Sequence, residues 1–299
     1  MPELPEVETV RRGLSKLIVH RKIVAVSHDN PKSFPNATGD VNQFLIGANV
    51  VAVRRRAKVL LIDLSTNYTL VIHLKMTGQL VFIPATTYQL PTTASEARFA
   101  GGHPNDSLVG NLPDKSTRVT FEFDDGSHLY FNDQRKFGWV RLMPTAEVPN
   151  IDFMKRVGPE PLEADFTAAQ FAERFKRRAR TTIKAAILDQ SVIAGVGNIY
   201  ADEALWGAKI HPARLVGAIT TAEFKKLYNE VRAVMNLSIE KGGSTNRNYV
   251  NAEGKKGSYM DFARVFRREG LPCPRCGTTI IKIRVAGRGT HICPKEQTL

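Results

Sequence analysis

The first residues of the chain offer a candidate nucleophile. The sequence begins Met1-Pro-Glu-Leu-Pro-Glu6, and a small second residue permits removal of Met1, which leaves Pro2 as a secondary amine. An α-amino group titrates near pH 8, about two units below lysine, so part of it is unprotonated at neutral pH. Attack of this amine on a sugar C1′ gives an iminium that eases β-elimination, with Glu3 and Glu6 near enough to transfer protons. Many inert proteins also begin Met-Pro, so other residues must support this interpretation.

The three cysteines predict a metal site. Cys273 and Cys276 form a Cys-x2-Cys pair, and sixteen residues separate Cys276 from Cys293. This spacing matches a zinc ribbon with its fourth ligand expected at position 296, which is Glu296. His291 is the alternative fourth ligand, because an imidazole is in general a better zinc ligand than a carboxylate. An odd, clustered set of cysteines without a signal peptide favours a metal site in a reducing cytoplasm over disulfides.

Two strand-to-turn segments carry cations beside apolar side chains. His73-Leu-Lys-Met-Thr-Gly78 and Asp133-Gln-Arg-Lys-Phe-Gly138 each follow a predicted strand. A cation beside an apolar wedge can hold a duplex open while a base is flipped out. Core packing of Met76, or an aromatic that only anchors a turn, is the alternative. The basic run Arg54–Lys58 suits phosphate contacts, although a solvated edge strand would also explain it.

The second half of the chain adds further candidates for phosphate binding. Arg174–Arg180 is strongly basic, and Lys184 follows it. Gly195-Val-Gly-Asn198 precedes a predicted helix and offers free backbone amides to a phosphate, although a simple helix-connecting turn is equally plausible.

Composition points to an anionic partner. The 299 residues hold 42 Lys+Arg against 29 Asp+Glu, a net charge of +13. Such an excess favours nucleic acid first and an acidic membrane second, with a merely basic surface as the alternative. No run of about twenty apolar residues predicts a membrane span, and the charged, proline-containing start argues against a signal peptide.

The hydrophobic pattern, the proline-rich segment and the helix-capping motifs predict a multidomain α+β protein. A helix over Val7–Leu17 is followed by many short β-branched or aromatic runs, which suggest a β-sandwich over 1–143. A proline-rich linker is expected over 144–165, and the loop Pro84–Pro113 receives no role. Capping boxes at Thr167–Gln170 and Thr220–Glu223 open helices within a helical domain over 166–270. A ribbon over 271–299 closes the chain.

These motifs, in this order, resemble bacterial formamidopyrimidine-DNA glycosylase nearly end to end. The shared segments include Gly158-Pro-Glu-Pro-Leu162, Asp189–Ala201 and Gly242–Tyr249 besides those above. The resemblance implies a β-sandwich, a helix–two-turns–helix domain and a zinc ribbon with one structural Zn²⁺. It implies a bifunctional DNA glycosylase and abasic-site lyase that excises oxidised purines and cleaves the strand by β,δ-elimination. A cytoplasmic, monomeric protein acting on double-stranded DNA is expected.

The resemblance also assigns roles to residues. Pro2 is the expected Schiff-base nucleophile, Glu3 the acid that opens the sugar, and Lys58 and Arg288 the proton donors for β- and δ-elimination. The expected DNA contacts are His73, Met76, Arg135, Lys136, Phe137, Arg180, Lys184, Asn198 and Arg288. Met76, Arg135 and Phe137 would fill the gap left by the flipped base. The expected lesion loop contains Ser244, Thr245, Arg247 and Tyr249. The metal ligands would be Cys273, Cys276, Cys293 and Glu296.

Three features depart from the family pattern. Ser116 stands where the family usually has a DNA-contacting histidine, the Pro84–Pro113 loop is long, and the fourth metal ligand is not cysteine. Two other functions remain open: an endonuclease VIII-like glycosylase for oxidised pyrimidines, and a non-catalytic DNA-binding zinc protein if Met1 is retained. Tautomerases with an N-terminal proline are much shorter and have no reason for a zinc ribbon.

Overall fold

The computed structural model describes residues 2–85, 98–103, 106–108, 110–244 and 259–299. The chain divides into two compact units. One is Met1–Lys155 with Lys241–Ser258, and the other is Arg156–Glu240 with Tyr259–Leu299. This division groups the C-terminal ribbon with the helical segment, whereas the sequence pattern separates them at residue 271.

The first unit contains a β-sandwich, which confirms the predicted fold class. Its strands are β1 (Ile23–His28), β2 (Val50–Arg56), β3 (Val59–Leu64), β4 (Tyr68–His73), β5 (Gly78–Ile83), β6 (Phe99–Gly102), β7 (Thr117–Phe123), β8 (His128–Asp133) and β9 (Trp139–Pro144). One sheet has the order β1-β7-β8-β5-β6 and the other β2-β3-β4-β9. All described pairings in these sheets are antiparallel, and short hairpins join the consecutive pairs β2–β3, β3–β4 and β7–β8.

Helix α1 (Leu4–Leu17) covers the sandwich core. Val10 and Leu14 are fully buried and belong to the same apolar cluster as Ile62 of one sheet and Phe131 of the other. The helix begins three residues earlier than predicted, because a proline in the first helical turn costs no intrahelical hydrogen bond. Gly13 leaves room for Phe99, since a Cβ on Gly13 would lie 2.1 Å from that ring.

Two elements of this unit were not predicted. Helix α2 (Thr38–Phe44) buries only Val41, so its sequence carries little amphipathic signal. Strand β6 reads Phe-Ala-Gly-Gly and lies at the sheet edge beside β5. Glycines are unfavourable in strands, so tertiary pairing rather than propensity forms β6.

The second unit is helical, with a two-stranded ribbon near its end. Its elements, counting α3 at the boundary between the units, are α3 (Asp152–Arg156), α4 (Ala168–Lys176), α5 (Ile183–Leu188), α6 (Asn198–Gly207), α7 (Thr221–Glu240), β10 (Ile281–Val285) and β11 (Arg288–Ile292). The two predicted capping boxes are present: Gln170 accepts from the Thr167 amide at 2.7 Å, and Glu223 from the Thr220 amide at 2.8 Å. Across the described residues, no helix has the length and apolar character needed to cross a bilayer.

Candidate active site and nucleic-acid interface

Strand register brings three predicted segments to one end of the sandwich. Val59 pairs with His73, and His73 pairs with Trp139, so β3 begins where β4 ends and β9 begins. Gly78 at the start of β5 pairs with Asp133 at the end of β8. The two strand-to-turn segments therefore leave the sheets at the same end, with Lys58 directly before β3.

The carboxylate of Asp133 joins the two turns. It is fully buried, accepts hydrogen bonds from the Thr77 hydroxyl, from the Gly138 amide at 2.7 Å and from the Arg135 amide at 3.2 Å. Charge-assisted bonds of this kind fix backbone more firmly than neutral ones. Sequence reasoning gave Asp133 no role, although an acidic residue at the end of an apolar strand was the available signal.

The side chains that these turns present to solvent form an apolar and cationic wedge. Met76 is 37% exposed and Phe137 54% exposed, which is high for residues of their size. The Arg135 guanidinium lies 4.8 Å from the centre of the Phe137 ring, a cation–π contact. Lys136 is also exposed and has a left-handed backbone with φ of +57°. The structure thus brings the predicted wedge residues together.

The start of α1 lies at the same end of this unit, because Glu8 of α1 pairs with Arg55 beside the turn that carries Lys58. Pro2 and Glu3 are buried, and Glu6 Oε2 accepts a hydrogen bond from the Glu3 amide at 2.8 Å. Burial lowers the pKa of His103, whose amide donates to Gly78 O at 3.0 Å. Glu6 Oε1 also accepts from the Ser244 amide at 2.7 Å, so the base of the predicted lesion loop is tied to α1.

Ion pairs fix the turn that carries Lys58. Arg55 Nε lies 3.1 Å from Glu8 Oε2 of α1, and Arg55 Nη1 donates to Ala57 O at 3.0 Å. Burial opposes ionisation of Glu8, yet hydrogen bonds from Arg11 and Arg12 prevail and lower its pKa to about 2. Arg54 pairs with Asp63, so the Arg54–Lys58 run is not a uniformly free phosphate-binding surface.

His73 is an uncharged hydrogen-bond donor. Burial and the charges of Lys75 and Lys58 lower its pKa to about 3. Its Nδ1 accepts from the Lys75 amide at 3.0 Å, which places the proton of the neutral ring on Nε2. His73 can therefore donate one hydrogen bond to an anion without carrying charge.

Lys184 corrects an expectation from the sequence. Its side chain is fully buried, with Nζ 2.5 Å from Asp202 Oδ1, 2.6 Å from Thr290 Oγ1 and 3.3 Å from Gly289 O. All three atoms are hydrogen-bond acceptors for the ammonium. Lys184 therefore ties α5 to α6 and β11, and it is not exposed to bind a phosphate.

The other phosphate candidates of the second unit are accessible. Arg180 is exposed before α5, and Arg288 is exposed at the start of β11. Asn198 is the first residue of α6, and its Nδ2 donates to Gly289 O at 3.0 Å. The positive end of the α6 dipole lies at Asn198, which favours an anion there.

The three cysteines form the predicted cluster. The sulfur atoms of Cys273, Cys276 and Cys293 all lie within 4.8 Å of one another. Thiolates are the donors that structural zinc sites use, so this donor set fits the metal. Gln297, which the sequence did not single out, supports the second cysteine turn by accepting from the Cys293 amide at 3.0 Å.

The predicted fourth ligand lies elsewhere. Glu296 Oε2 is 2.8 Å from Lys209 Nζ and 3.0 Å from Arg275 Nη1, and these hydrogen bonds lower its pKa. Arg275 in turn stacks 3.9 Å from the centre of the Trp206 ring. Two cations thus hold the carboxylate, and within the described residues the potential metal-binding group contains only the cysteines.

His291 is also engaged away from the sulfur atoms. Its Nδ1 lies 3.2 Å from Asp202 Oδ2 and its Nε2 lies 3.1 Å from Glu269 Oε2. Its main-chain amide donates to Asp202 Oδ2 at 2.9 Å. These contacts place His291 in the polar network around Lys184, so neither proposed fourth ligand joins the cysteines.

Two remaining expectations concern positions near the edges of the described structure. Thr245, Arg247 and Tyr249 lie outside the described residues, as does much of the Pro84–Pro113 loop. Ser116 is buried, with its Oγ 2.7 Å from Asp114 Oδ1, so it is a structural hydroxyl in this chain.

Comparison with known protein families gives three consecutive matches. Residues 1–140 match the formamidopyrimidine-DNA glycosylase N-terminal domain, and residues 157–250 match the H2TH domain of the same glycosylase. Residues 270–295 match the zinc finger found in FPG and IleRS. Together these matches span most of the chain.

Individual relatives match this chain along nearly its whole length. A formamidopyrimidine-DNA glycosylase from Streptococcus pyogenes serotype M6 is 41% identical, over 99% of this chain and 98% of the relative. One from Desulforamulus reducens is 41% identical, over 99% of each. The structure of Lactococcus lactis Fpg with DNA containing an abasic site superposes with a TM-score of 0.84 at 33% identity, covering 99% of this chain and 100% of that chain. A complex of the same wild-type enzyme with N7-benzyl-Fapy-dG DNA also gives 0.84 at 33% identity, covering 100% of both chains.

Proposed function

The chain belongs to the formamidopyrimidine-DNA glycosylase family, and from this we propose that Pro2 is the nucleophile with which it removes damaged bases. The protein is a bifunctional DNA glycosylase and abasic-site lyase that excises oxidised purines. The observation that supports the proposal is the gathering of the start of α1, Lys58 and the wedge turns at one end of the sandwich. A nucleophile beside an apolar wedge is the arrangement that base flipping requires.

The proposed chemistry begins once Met1 has been removed. The lone pair of the Pro2 nitrogen attacks C1′ of the damaged nucleoside, and the C1′–N9 bond breaks with a proton supplied to the leaving base. Glu3 donates a proton to the sugar ring oxygen, which opens the ring and leaves an iminium between Pro2 and C1′. The positively charged iminium then acidifies C2′–H.

Elimination follows from that iminium. Loss of the C2′ proton and breakage of the C3′–O bond release the 3′ phosphate, and a second elimination releases the 5′ phosphate. Lys58 and Arg288 are the proposed proton donors for these two steps. Hydrolysis of the iminium with water frees Pro2 and the sugar remnant. Burial of Pro2 and Glu3 supports this assignment, because desolvation favours the neutral amine and strengthens local electrostatics.

The wedge would stabilise the duplex after the damaged base leaves the stack. Met76 and Phe137 supply exposed apolar surface to fill the gap, which offsets an unstacking cost of a few kcal/mol, roughly. Arg135 would donate hydrogen bonds to the orphaned cytosine, since a guanidinium reads base edges directionally. Hydrogen bonds from both turns to Asp133 support the wedge by limiting its movement.

Phosphate contacts would come from both units. We assign His73 and Lys136 in the first unit, and Arg180, Asn198 and Arg288 in the second. Free cations and helix-terminal amides are the groups that bind DNA phosphates in other proteins. Ser244, Thr245, Arg247 and Tyr249 are proposed to close over the extruded purine.

The ribbon is proposed to hold one zinc ion through Cys273, Cys276 and Cys293. Zinc would supply a structural cross-link to a hairpin too short to build a core of its own. We propose further that the protein is a monomer and works in the bacterial cytoplasm, where chromosomal DNA is found.

Borohydride trapping tests the proposed nucleophile. With a duplex carrying 8-oxoguanine opposite cytosine, wild-type protein should form a covalent protein–DNA adduct, and peptide mapping should place it on Pro2. Pro2→Gly should largely abolish both excision and strand cleavage, because a primary amine replaces the proline ring nitrogen. A duplex with an oxidised pyrimidine, run in parallel, measures lesion preference. An adduct on Lys58 would overturn the assignment.

A further inference from the structure

The second unit contains an open cleft whose surface is rich in cations. Its volume is about 580 Å³, and it lies between the ribbon and the segment that precedes the first cysteine. Its lining includes Asn198, Arg267, Lys282 and Arg288. Asn198 and Arg288 are already proposed as phosphate contacts, whereas Arg267 and Lys282 have no assigned role.

Arg267 has an unusual backbone for an arginine. Its φ is +59°, in the left-handed region that L-residues with long side chains rarely adopt. The side chain is exposed, and its guanidinium carbon lies 5.9 Å from the centre of the Phe266 ring. Within the described part of the chain, this guanidinium has no hydrogen bond or ion pair. Strained residues held in place by the fold concentrate at binding and catalytic sites.

The surrounding structure holds this backbone in place. The buried carboxylate of Glu203 accepts from the Val265 amide at 2.9 Å and the Phe266 amide at 2.8 Å. The Phe266 ring packs edge-on against His291, with centroids 5.0 Å apart. The segment is therefore fixed directly before Arg267, and the guanidinium is presented to the cleft.

Charge in the cleft favours an anion. Arg267, Lys282 and Arg288 face one carboxylate, Glu269, which lies 3.4 Å from Lys282 Nζ and 3.1 Å from His291 Nε2. The beginning of α6 adds the positive end of a helix dipole beside Asn198. Two guanidinium groups match the oxygens of successive phosphodiesters.

We propose that Arg267 binds a backbone phosphate of the damaged duplex, one beyond the phosphate contacted by Asn198 and Arg288. The inference rests on the proposed DNA contact of Asn198 and Arg288 and extends it along the strand. Arg267 carries no catalytic step, so it acts on affinity and on the salt dependence of binding.

Arg267→Gly provides the test, because glycine adopts this backbone without strain. Binding is measured by fluorescence anisotropy on a duplex with a tetrahydrofuran abasic-site analogue, which requires no chemistry. The slope of log K against log salt should fall by about 0.9 for one lost phosphate contact. The ratio of the wild-type binding constant to that of Arg267→Gly should then fall about 3.5-fold between about 50 and about 200 mM salt. The unfolding midpoint should rise, since strain is relieved.

Matched variants distinguish this contact from bulk charge. Arg267→Lys should retain most of the slope, and Lys295→Ala, an exposed cation of the same ribbon outside the cleft, should change neither slope nor stability. Arg267→Gly could keep the wild-type salt slope while Arg288→Ala shows a reduced slope. That result overturns the inference about Arg267 but leaves the proposed DNA interface intact. A wild-type slope in both variants overturns both. The abasic-site analogue binds without reacting. The binding measurement therefore tests Arg267 whatever the result of borohydride trapping.

Discussion

The ammonium of Lys184 lies 2.5 Å from Asp202 Oδ1, and both side chains are completely buried. The pair joins α5 to α6, while Thr290 and Gly289 complete the shell of acceptors from β11. A cation so enclosed stabilises the second unit and positions the hairpin that carries Arg288. It does so without contacting DNA.

Breaking this pair should cost stability and leave the electrostatics of DNA binding unchanged. Lys184→Met leaves a buried carboxylate uncompensated, so the free energy of unfolding should fall by about 3–5 kcal/mol. Lys184→Met combined with Asp202→Asn should recover much of that loss, because the amide oxygen still accepts from the His291 amide. Urea unfolding measures both. In the double variant the salt slope of binding should equal that of wild type, whereas Arg180→Ala should lower it by about 0.9. A reduced slope in the double variant would restore Lys184 as a phosphate contact.

Arg135 should determine the preference for cytosine opposite the lesion. Directional hydrogen bonds to a base edge discriminate by about 1–3 kcal/mol, so Arg135→Ala should relax that preference at least several-fold. Excision rates on 8-oxoguanine opposite cytosine and opposite adenine provide the ratio. Lys136→Ala removes an adjacent exposed charge and should lower affinity without changing the ratio. If Arg135→Ala leaves the ratio of these excision rates unchanged, Arg135 does not recognise the opposite base.

Acid stability should depend on two groups whose pH windows are centred at different values and overlap in part. His73 has a folded pKa of about 3, below its ordinary value, so the unfolded chain binds the proton first and stability falls as pH drops from about 6.5 to 3. Glu8 has a folded pKa of about 2, so the stability from its arginine contacts is present above about pH 4.5 and lost below it. His73→Gln should flatten the upper window and Glu8→Gln the lower one. Unfolding midpoints across roughly pH 2–7 test this, and identical profiles for His73→Gln and wild type would contradict it.

The metal should survive loss of Glu296. Because that carboxylate is held by Lys209 and Arg275, Glu296→Ala should retain about one zinc per chain through the three thiolates. Glu296→Cys should complete a four-thiolate site and slow removal of zinc by a chelator. Elemental analysis and chelator kinetics give the readouts, with Lys295→Ala as a control for charge near the site. Loss of zinc in Glu296→Ala would show that the carboxylate leaves its ion pairs to bind metal.

The sequence by itself determined the elements and the order of the chemical motifs. Alternating β-branched runs predict strands, and capping boxes at Thr167 and Thr220 predict helix starts, because both signals depend on residues only a few positions apart. The joint order of the Met1–Glu6, His73–Gly78, Asp133–Gly138 and cysteine motifs identified the family. Strand β6 escaped prediction because its pairing partner, rather than its composition, makes it a strand.

Tertiary structure decided which charged groups are available. Lys184 and Arg288 are both cations for which the sequence predicts phosphate contacts, yet one is enclosed and the other is exposed. The partners that enclose Lys184 lie 18 and 106 residues away, beyond the reach of any local pattern. Glu296 likewise follows Cys293 at ligand spacing, but Lys209 and Arg275 converge on it from elsewhere. The energy of a charge depends on its solvent and its neighbours in space, and only the folded chain specifies both.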